Sequence, residues 1–225
     1  MSWAEWALLV AAVLLVVLWA AWVEASRIDR LHRKVAASYA MLETQLVRRA
    51  TAAVELASSG VLDPVSSVLV ADAAFAALDA GGGGGGELTP VPADLARLIG
   101  DEPQEPQERP MRLPGSPADD RGLAESELSA TLRAALDDPD EVAAVRDQPG
   151  GEEAIAALAA AWFRVQLARR FHNEAVAQTR RVRGKALVRA LRLAGHAPLP
   201  HPFDIDDAWP PALGRPGAVG PAREV

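Results

Sequence analysis

The chain has 225 residues, no cysteine and a formal net charge of −7. The lack of cysteine excludes disulfides, cysteine-ligated zinc, iron–sulfur clusters and thiol catalysis. Half of the residues are hydrophobic but only 5% are aromatic, and such an alanine-rich apolar set suits close-packed helices better than a sheet.

The first predicted element is an unbroken apolar run from Trp6 to Val23 without a charged residue. Such a run makes ~27 Å of helix, close to the ~30 Å hydrocarbon core of a bilayer. Indole rings favour the membrane interface, and the tryptophans at the two ends of the run are Trp3, Trp6, Trp19 and Trp22. We therefore predict a transmembrane anchor over residues 1–23 with these tryptophans at the two interfaces.

Two alternatives for this run are weaker. A cleaved signal peptide begins with basic residues and has a shorter apolar region, whereas only Glu5 precedes this run. A buried soluble helix is rarely apolar on every face. The basic residues Arg27, Arg30, Arg33 and Lys34 follow the run. The positive-inside rule then predicts a single-pass protein of the cell membrane, with the N-terminus outside and residues 24–225 in the cytoplasm.

A helix is predicted from Glu24 to about Ser58, because apolar residues recur at steps of three and four. This stripe consists of Ile28, Leu31, Val35, Tyr39, Leu42, Leu46, Ala50 and Ala53. No proline or glycine interrupts residues 3–58, so the membrane span is expected to continue directly into this helix. Gly60 is the predicted C-terminal cap.

A second helix is predicted to begin at Asp63-Pro64, where Asp caps free N–H groups and Pro suits the first helical position. Glycines 81–86 end it, and prolines and acids follow. We predict a flexible, mostly disordered linker over residues 81–120. A phosphate-binding loop is the alternative for the glycines, but no Lys-Ser or Lys-Thr follows them and a helix precedes them.

Three more helices are predicted, at about Leu123–Leu136, Asp140–Arg146 and Glu152–Leu193, with a bend at Gly184. Prolines among small residues predict a disordered tail over residues 208–225. No segment alternates like a strand. The predicted fold class is therefore all-α, with the transmembrane helix continuing into an antiparallel bundle that is formed by residues 24–80 and 121–207.

Charge is unevenly distributed along the chain. Residues 63–160 contain 20 Asp and Glu against 6 Arg, whereas residues 161–195 contain 9 Arg and Lys against one acid. Either the two segments lie side by side in one bundle, or the basic helix meets an anionic surface. The predicted basic surface consists of Arg180, Arg181, Arg183, Lys185, Arg189 and Arg192. Nucleic acid is disfavoured, because aromatic side chains are not interleaved with these charges.

No constellation of residues suggests catalysis. Gly-x-Ser-x-Gly, phosphate-loop and His-Glu-x-x-His motifs do not occur. A proline-rich turn holds five potential metal ligands, His196, His201, Asp204, Asp206 and Asp207, but such a cluster is more often a solvated turn. We expect no catalytic residue, no metal and no cofactor, and a protein that is not an enzyme.

Two segments of the chain resemble the LemA family. They are RLHRKVAASYAMLETQLVRRA and RRFHNEAVAQTRRVR, in which Gln45, Leu46, Arg48, Arg49, Arg169 or Arg170, Asn173, Ala175 and Val176 match the family pattern. His172 replaces the family's tyrosine. The segment HAPLPHPFDIDD is similar to the family's closing loop, with Phe203 as its aromatic residue. The resemblance covers about residues 1–58 and 165–207.

The resemblance implies a helical single-pass protein with a small external N-terminus, in a family whose molecular function is unsettled. It also implies a contact residue, since Asn173 would hydrogen-bond between the two long helices. The alternative for Asn173 is an exposed helix residue.

Three functional hypotheses follow. The first is a non-enzymatic scaffold or adaptor at the membrane that acts through an unknown protein partner. The second is an envelope-organising protein whose basic helix, residues 161–195, binds anionic lipid. The third is an enzyme with a metal at His196, His201 and Asp204.

Overall fold

The computed structural model describes residues 2–82, 117–195 and 197–216. Six α-helices occur in this part of the chain: α1 Trp3–Ser58, α2 Pro64–Gly82, α3 Pro117–Ala135, α4 Pro139–Arg146, α5 Gly151–Arg183 and α6 Ala186–Ala190. A 3₁₀ helix follows at Pro211–Leu213. The described residues contain no strand, and the all-α prediction is confirmed.

The chain divides into two compact units. The first comprises Met1–Leu42 and Leu167–Phe203, and the second comprises Glu43–Gln166 and Asp204–Val225. Helices α1 and α5 each contribute residues to both units. The sequence predicted one bundle formed by residues 24–80 and 121–207.

In the first unit, α1 and α5 run antiparallel. Their contacts show the direction, because Lys34 Nζ lies 3.4 Å from Gln178 Oε1, whereas Ser38 Oγ lies 3.2 Å from His172 Nδ1. A small apolar cluster lies near the C-terminal end of α5. It consists of Ile28, Leu31, Val182 and Val188. This cluster also packs α6 against α1.

The second unit contains the main core. It is built mostly from alanine and leucine, which lets the helices approach closely. Its fully buried apolar residues include Ala50, Ala53 and Leu56 of α1, Val70, Ala74 and Ala77 of α2, Leu128 and Leu132 of α3, and Ile155, Leu158 and Trp162 of α5.

Helix starts agree with the local sequence. The Asp63 carboxylate accepts hydrogen bonds from the backbone N–H groups of Val65 and Ser66 at 2.9 and 3.1 Å, so the predicted start of α2 is confirmed. Gly60 follows the end of α1 with a φ of +76°, a left-handed conformation that glycine adopts at little cost.

The linker prediction was too long at both ends. Helix α2 extends to Gly82, and α3 begins at Pro117 rather than Leu123. The earlier start of α3 has a physical reason: Pro117 suits the first helical position, and Arg121 is buried in an ion-pair cluster of the second unit. The rest of the predicted linker, residues 83–116, lies outside the described residues.

The last long helix is shorter than predicted. Helix α5 ends at Arg183, and Gly184 and Lys185 separate it from the short α6. The Arg183 guanidinium donates hydrogen bonds to the carbonyl oxygens of Ala197 and Pro198, each at 2.7 Å. These bonds hold the chain that returns after α6 against the end of α5.

The prediction of a disordered tail is wrong for residues 208–216. Leu213 is buried in the core of the second unit, and the Arg146 guanidinium donates to its carbonyl oxygen at 2.9 Å. The Trp209 ring lies 6.1 Å from the Trp162 ring. Burial of apolar side chains therefore holds this segment in place, although its prolines alone predicted disorder. Residues 217–225 lie outside the described residues.

Candidate functional site

The N-terminal part of α1 is exposed and apolar. Its most apolar 18-residue window has a mean hydropathy of 2.6, and none of the window is buried. The four flanking tryptophans, Trp3, Trp6, Trp19 and Trp22, are all exposed. Helix α1 is therefore long and apolar enough to cross a membrane.

Helix α2 also meets the length and hydropathy criterion for a span, with a mean hydropathy of 1.3. One face of α2 packs in the core through Val70, Ala73, Ala74 and Ala77. The opposite face exposes Val65, Val68, Leu69 and Phe75, which we call the α2 stripe. Exposed apolar patches of this kind mark interaction sites more often than single exposed residues do.

Part of the predicted basic surface lies beside the end of the apolar run. Lys185 Nζ is 2.9 Å from an oxygen of Glu24, the residue that directly follows Val23. In the first unit, the C-terminal end of α5 therefore lies next to the start of the polar part of α1.

The other predicted basic residues are distributed as follows. Arg181 pairs with Glu174 on its own helix at 3.2 Å, and both side chains are about two-thirds exposed or more, so this pair contributes little. Arg183 binds backbone carbonyls. Arg180, Arg189 and Arg192 are exposed and form no ion pair with any residue that the structure describes.

A groove of about 440 Å³ lies between α1 and α5 in the first unit. Two of its cations, Arg27 and Lys34, come from one face of α1, and two, Arg181 and Lys185, come from α5 and the turn that follows it. Glu174, Gln178 and Val182 complete the lining. We call this site the basic groove.

The Asn173 side chain binds the loop that follows α6 to helix α5. Its side-chain amide donates to the Phe203 carbonyl at 3.1 Å, and its carbonyl oxygen accepts from the Phe203 N–H at 2.8 Å. The contact differs from both alternatives that the sequence offered, since Asn173 is partly buried and binds Phe203 of a loop rather than a residue of helix α1.

His172 is buried beside the same loop. Its ring packs edge-on against Tyr39 at 5.5 Å, and the Tyr39 ring also packs edge-on against Phe203 at 6.5 Å. Burial lowers the pKa of the His172 imidazole below its ordinary value, although hydrogen bonds with the backbone of His201 and Val35 act in the opposite direction. A neutral imidazole suits this packed position.

The second unit holds a buried ion-pair cluster. Arg49 and Glu125 are both 0% exposed and are joined at 2.6 Å. The Glu125 carboxylate also lies 2.9 Å from the guanidinium of Arg121, which in turn is 3.6 Å from Glu43. Burial raises the pKa of Glu125 and lowers that of Arg49, against the opposing effect of their mutual attraction.

Further contacts hold this cluster in place. The Arg49 guanidinium donates to Ser129 Oγ at 2.9 Å and lies over the Trp162 ring at 5.3 Å. The Arg121 guanidinium donates to the Ala77 carbonyl in the last turns of α2. A Cβ at Gly81 would overlap that guanidinium, so glycine leaves the space that Arg121 occupies.

Sequence reasoning missed this cluster, although the sequence carries a signal for it. Arg49 stands three residues after Leu46 and seven after Leu42, on the apolar stripe of α1. Glu125 stands three residues before Leu128 and seven before Leu132, on the leucine stripe of α3. Charged residues of opposite sign in the core positions of two helices are candidates for a buried pair.

The turn with potential metal ligands is used for other contacts. The Asp206 carboxylate forms a bidentate salt bridge with Arg133 at 2.6 and 3.0 Å. This salt bridge lowers the pKa of Asp206. The Asp207 carbonyl accepts from Gln166 and Trp162. No group of three or more potential metal ligands occurs in the described ranges, from which His196 is missing.

Comparison of the chain with protein-family models, curated proteins and solved structures finds no match.

Proposed function

We propose that this protein is a non-enzymatic, single-pass membrane scaffold or adaptor, with residues 24–225 in the cytoplasm. The continuity of α1 carries this proposal. The helix that contains the apolar run also supplies buried residues to both units, Ile28 in the first and Leu56 in the second. No loop or linker separates the apolar run from the packed part of α1. This continuity suits a protein that holds its partners at a fixed place beside a membrane.

The α2 stripe supports a protein partner for this scaffold. It presents Val68, Leu69 and Phe75 to solvent on the unit that carries the main core. Asp72 and Asp79 lie on the same exposed face. An amphipathic helix with an apolar face and basic flanks would complement this surface.

The two segments that resemble the LemA family contact each other in the first unit. Its family-like late helix and its loop with Phe203 meet through Asn173, by two reciprocal hydrogen bonds. His172 and Tyr39, from the two family-like segments, pack together in the same place. The parts of the chain that resemble the family thus form one contact group.

Crosslinking followed by affinity purification of the full-length protein from its native membrane tests the scaffold proposal. We expect a stoichiometric partner that is lost from a Val68→Asp, Phe75→Asp double variant. Leu199→Asp makes the same change of polarity at an exposed position outside the stripe and should retain the partner. Recovery of the protein with lipid alone would overturn the adaptor proposal.

A second candidate function is the organisation of anionic lipid by the basic helix, residues 161–195. The Lys185–Glu24 pair favours it, because it lies beside the end of the apolar run. Cations near an anionic leaflet each contribute about 1 kcal/mol to membrane binding.

A further inference from the structure

The basic groove collects cations from two helices at one place. Arg27 and Lys34 are seven residues apart and project from one side of α1, whereas Arg181 lies on α5 and Lys185 in the turn that follows it. All four side chains line the groove. The buried Val182 lies between Arg181 and Lys185 in sequence and also lines the groove. Long basic side chains therefore surround a shared opening.

The groove carries more positive than negative charge. Lys185 is paired with Glu24, and Arg181 with Glu174. Among the described residues, the neutral Gln178 amide is the hydrogen-bond partner of Lys34, and Arg27 forms no ion pair. Two unit charges remain to be balanced, and an anion in the groove would balance them.

The position of the groove along α1 matches a membrane surface. Arg27 is four residues beyond Val23, or ~6 Å along the helix, and Lys34 is ~16 Å beyond it. The polar headgroup region extends roughly 5–8 Å beyond the hydrocarbon core on each side. Arg27 thus lies at headgroup level, as does Lys185, which pairs with Glu24. Lys34 and Arg181 line the part of the groove that is further from the hydrocarbon core.

We propose that the basic groove binds the phosphate of an anionic phospholipid headgroup. The proposal assumes the membrane anchoring proposed above and names a ligand and the residues that hold it. Guanidinium groups donate two parallel hydrogen bonds to phosphate oxygens, and ammonium groups act as point charges. Arg27 and Arg181 would supply the first kind of contact, and Lys34 and Lys185 the second.

The groove does not suit a nucleic acid. Binding of single strands depends on aromatic side chains on which bases stack, and the groove lining contains none. A lipid phosphate needs only the charges and donors that the groove presents.

The test is a titration of detergent-solubilised full-length protein with short-chain phosphatidylglycerol, followed by native mass spectrometry. An Arg27→Gln, Lys34→Gln variant should bind about 25-fold more weakly, at about fivefold for each cation removed. An Arg30→Gln, Arg33→Gln variant is the matched control. It removes the same charge from the same stretch of α1, at positions that do not line the groove, and should bind like the wild type.

Each other outcome contradicts the proposal. Equal weakening in both variants would mean that the general surface charge attracts the lipid, and no weakening in either would mean that the groove is not the site. Equally tight binding of soluble glycerol phosphate would make free phosphate the ligand. The titration takes place in detergent, so it can succeed or fail whatever the orientation of the anchor in a membrane turns out to be.

Circular dichroism and hydrogen exchange establish that both variants are folded. Since Arg27 and Lys34 are exposed, we expect neither variant to lose helix. Phosphatidylcholine, which has no net charge, should bind the wild type and both variants with the same low affinity.

Discussion

At the scale of single residues, Glu125 links two buried guanidinium groups in the second unit. It is the only carboxylate among the described residues within ion-pair distance of Arg49, and it also pairs with Arg121. Taking charged groups out of water is costly, and removal of one partner leaves the others buried without compensation. The stability of this unit therefore depends on the complete cluster.

We predict that Glu125→Ala lowers the free energy of unfolding by about 3–5 kcal/mol, because it leaves two buried guanidinium groups without their shared carboxylate. Denaturant titration of the full-length protein in detergent measures the change. Glu127→Ala removes an exposed carboxylate from the same helix and should change stability by no more than about 0.5 kcal/mol. Similar losses in both variants would contradict the role given to the cluster.

His172 provides a pH-dependent contribution in the first unit. Burial lowers its pKa below the ordinary 6.5, so below that pH the unfolded chain binds more protons than the folded protein. Stability must then fall as the pH falls through 6.5 towards the lowered pKa. Ser38, Tyr39 and the backbone of His201 surround the ring, and none of them carries a negative charge that would offset protonation.

We predict that the melting temperature of the wild type decreases between about pH 7 and about pH 5, and that His172→Gln reduces this decrease. Thermal unfolding followed by circular dichroism at each pH tests it. His201→Gln changes an exposed histidine of the same contact group and should keep the wild-type pH dependence. An unchanged pH profile in His172→Gln would show that other groups cause the decrease.

At the scale of elements, hydrophobic periodicity and capping residues predicted the helices well, and tertiary contacts decided where they end. The Asp63-Pro64 start of α2 is local, because the Asp63 cap acts within one turn. The start of α3 is not local, because Arg121 is held by Glu125 and by a carbonyl of α2. These contacts of Arg121 cannot be read from a single sequence, so the first turn of α3 was assigned to the linker.

The ordered tail has the same explanation. Leu213 and Trp209 pack on residues far away in the sequence, whereas composition considers only neighbouring residues. For the candidate site, the sequence identified Lys185 and Arg181 as basic surface, but not their meeting with Arg27 and Lys34. That meeting depends on the antiparallel register of α1 and α5, which no local pattern specifies.

Helix α6 depends on Val188 for its position. This residue packs with Ile28, Leu31 and Val182 in the small apolar cluster of the first unit. We predict that Val188→Asp releases α6 from α1, because a carboxylate without a partner is costly to bury. Hydrogen exchange over residues 185–195 should become at least tenfold faster, which corresponds to a loss of about 1.4 kcal/mol of local stability.

Leu191→Asp is the control for this experiment. Leu191 is in the same turn region but is 44% exposed, so its substitution should leave exchange over these residues nearly unchanged. Equal acceleration in both variants would mean that α6 is held by backbone contacts rather than by the apolar cluster.

At the scale of the whole molecule, charge separates between the two units. The sequence ranges of the first unit hold 12 Lys and Arg against 4 Asp and Glu. Those of the second unit hold the remaining 11 Lys and Arg against 26 Asp and Glu. The basic ranges are thus continuous in sequence with the apolar run, and the acidic ranges belong to the other unit. The proposed attraction to an anionic leaflet would act on the first unit, and the net negative charge of the second unit would oppose it.

This distribution also bears on the orientation proposed for α1 in a membrane. Arg27, Arg30, Arg33 and Lys34 follow the apolar run, whereas Glu5 is the only charged side chain before it. Positive charge near one end of a span keeps that end in the cytoplasm. The chain has no cysteine, so a single introduced cysteine reports the side on which it lies without background from native thiols.

We predict that Ser2→Cys reacts with a membrane-impermeant maleimide in intact cells, and that Thr51→Cys reacts only after the membrane is opened. Both positions are exposed in the structure, so a difference in labelling reflects the membrane rather than burial within the fold. Labelling of Thr51→Cys in intact cells would place the two units outside the cytoplasm and contradict the proposed location. The basic groove would then face the opposite leaflet, although its affinity for phosphatidylglycerol in detergent would be unaffected.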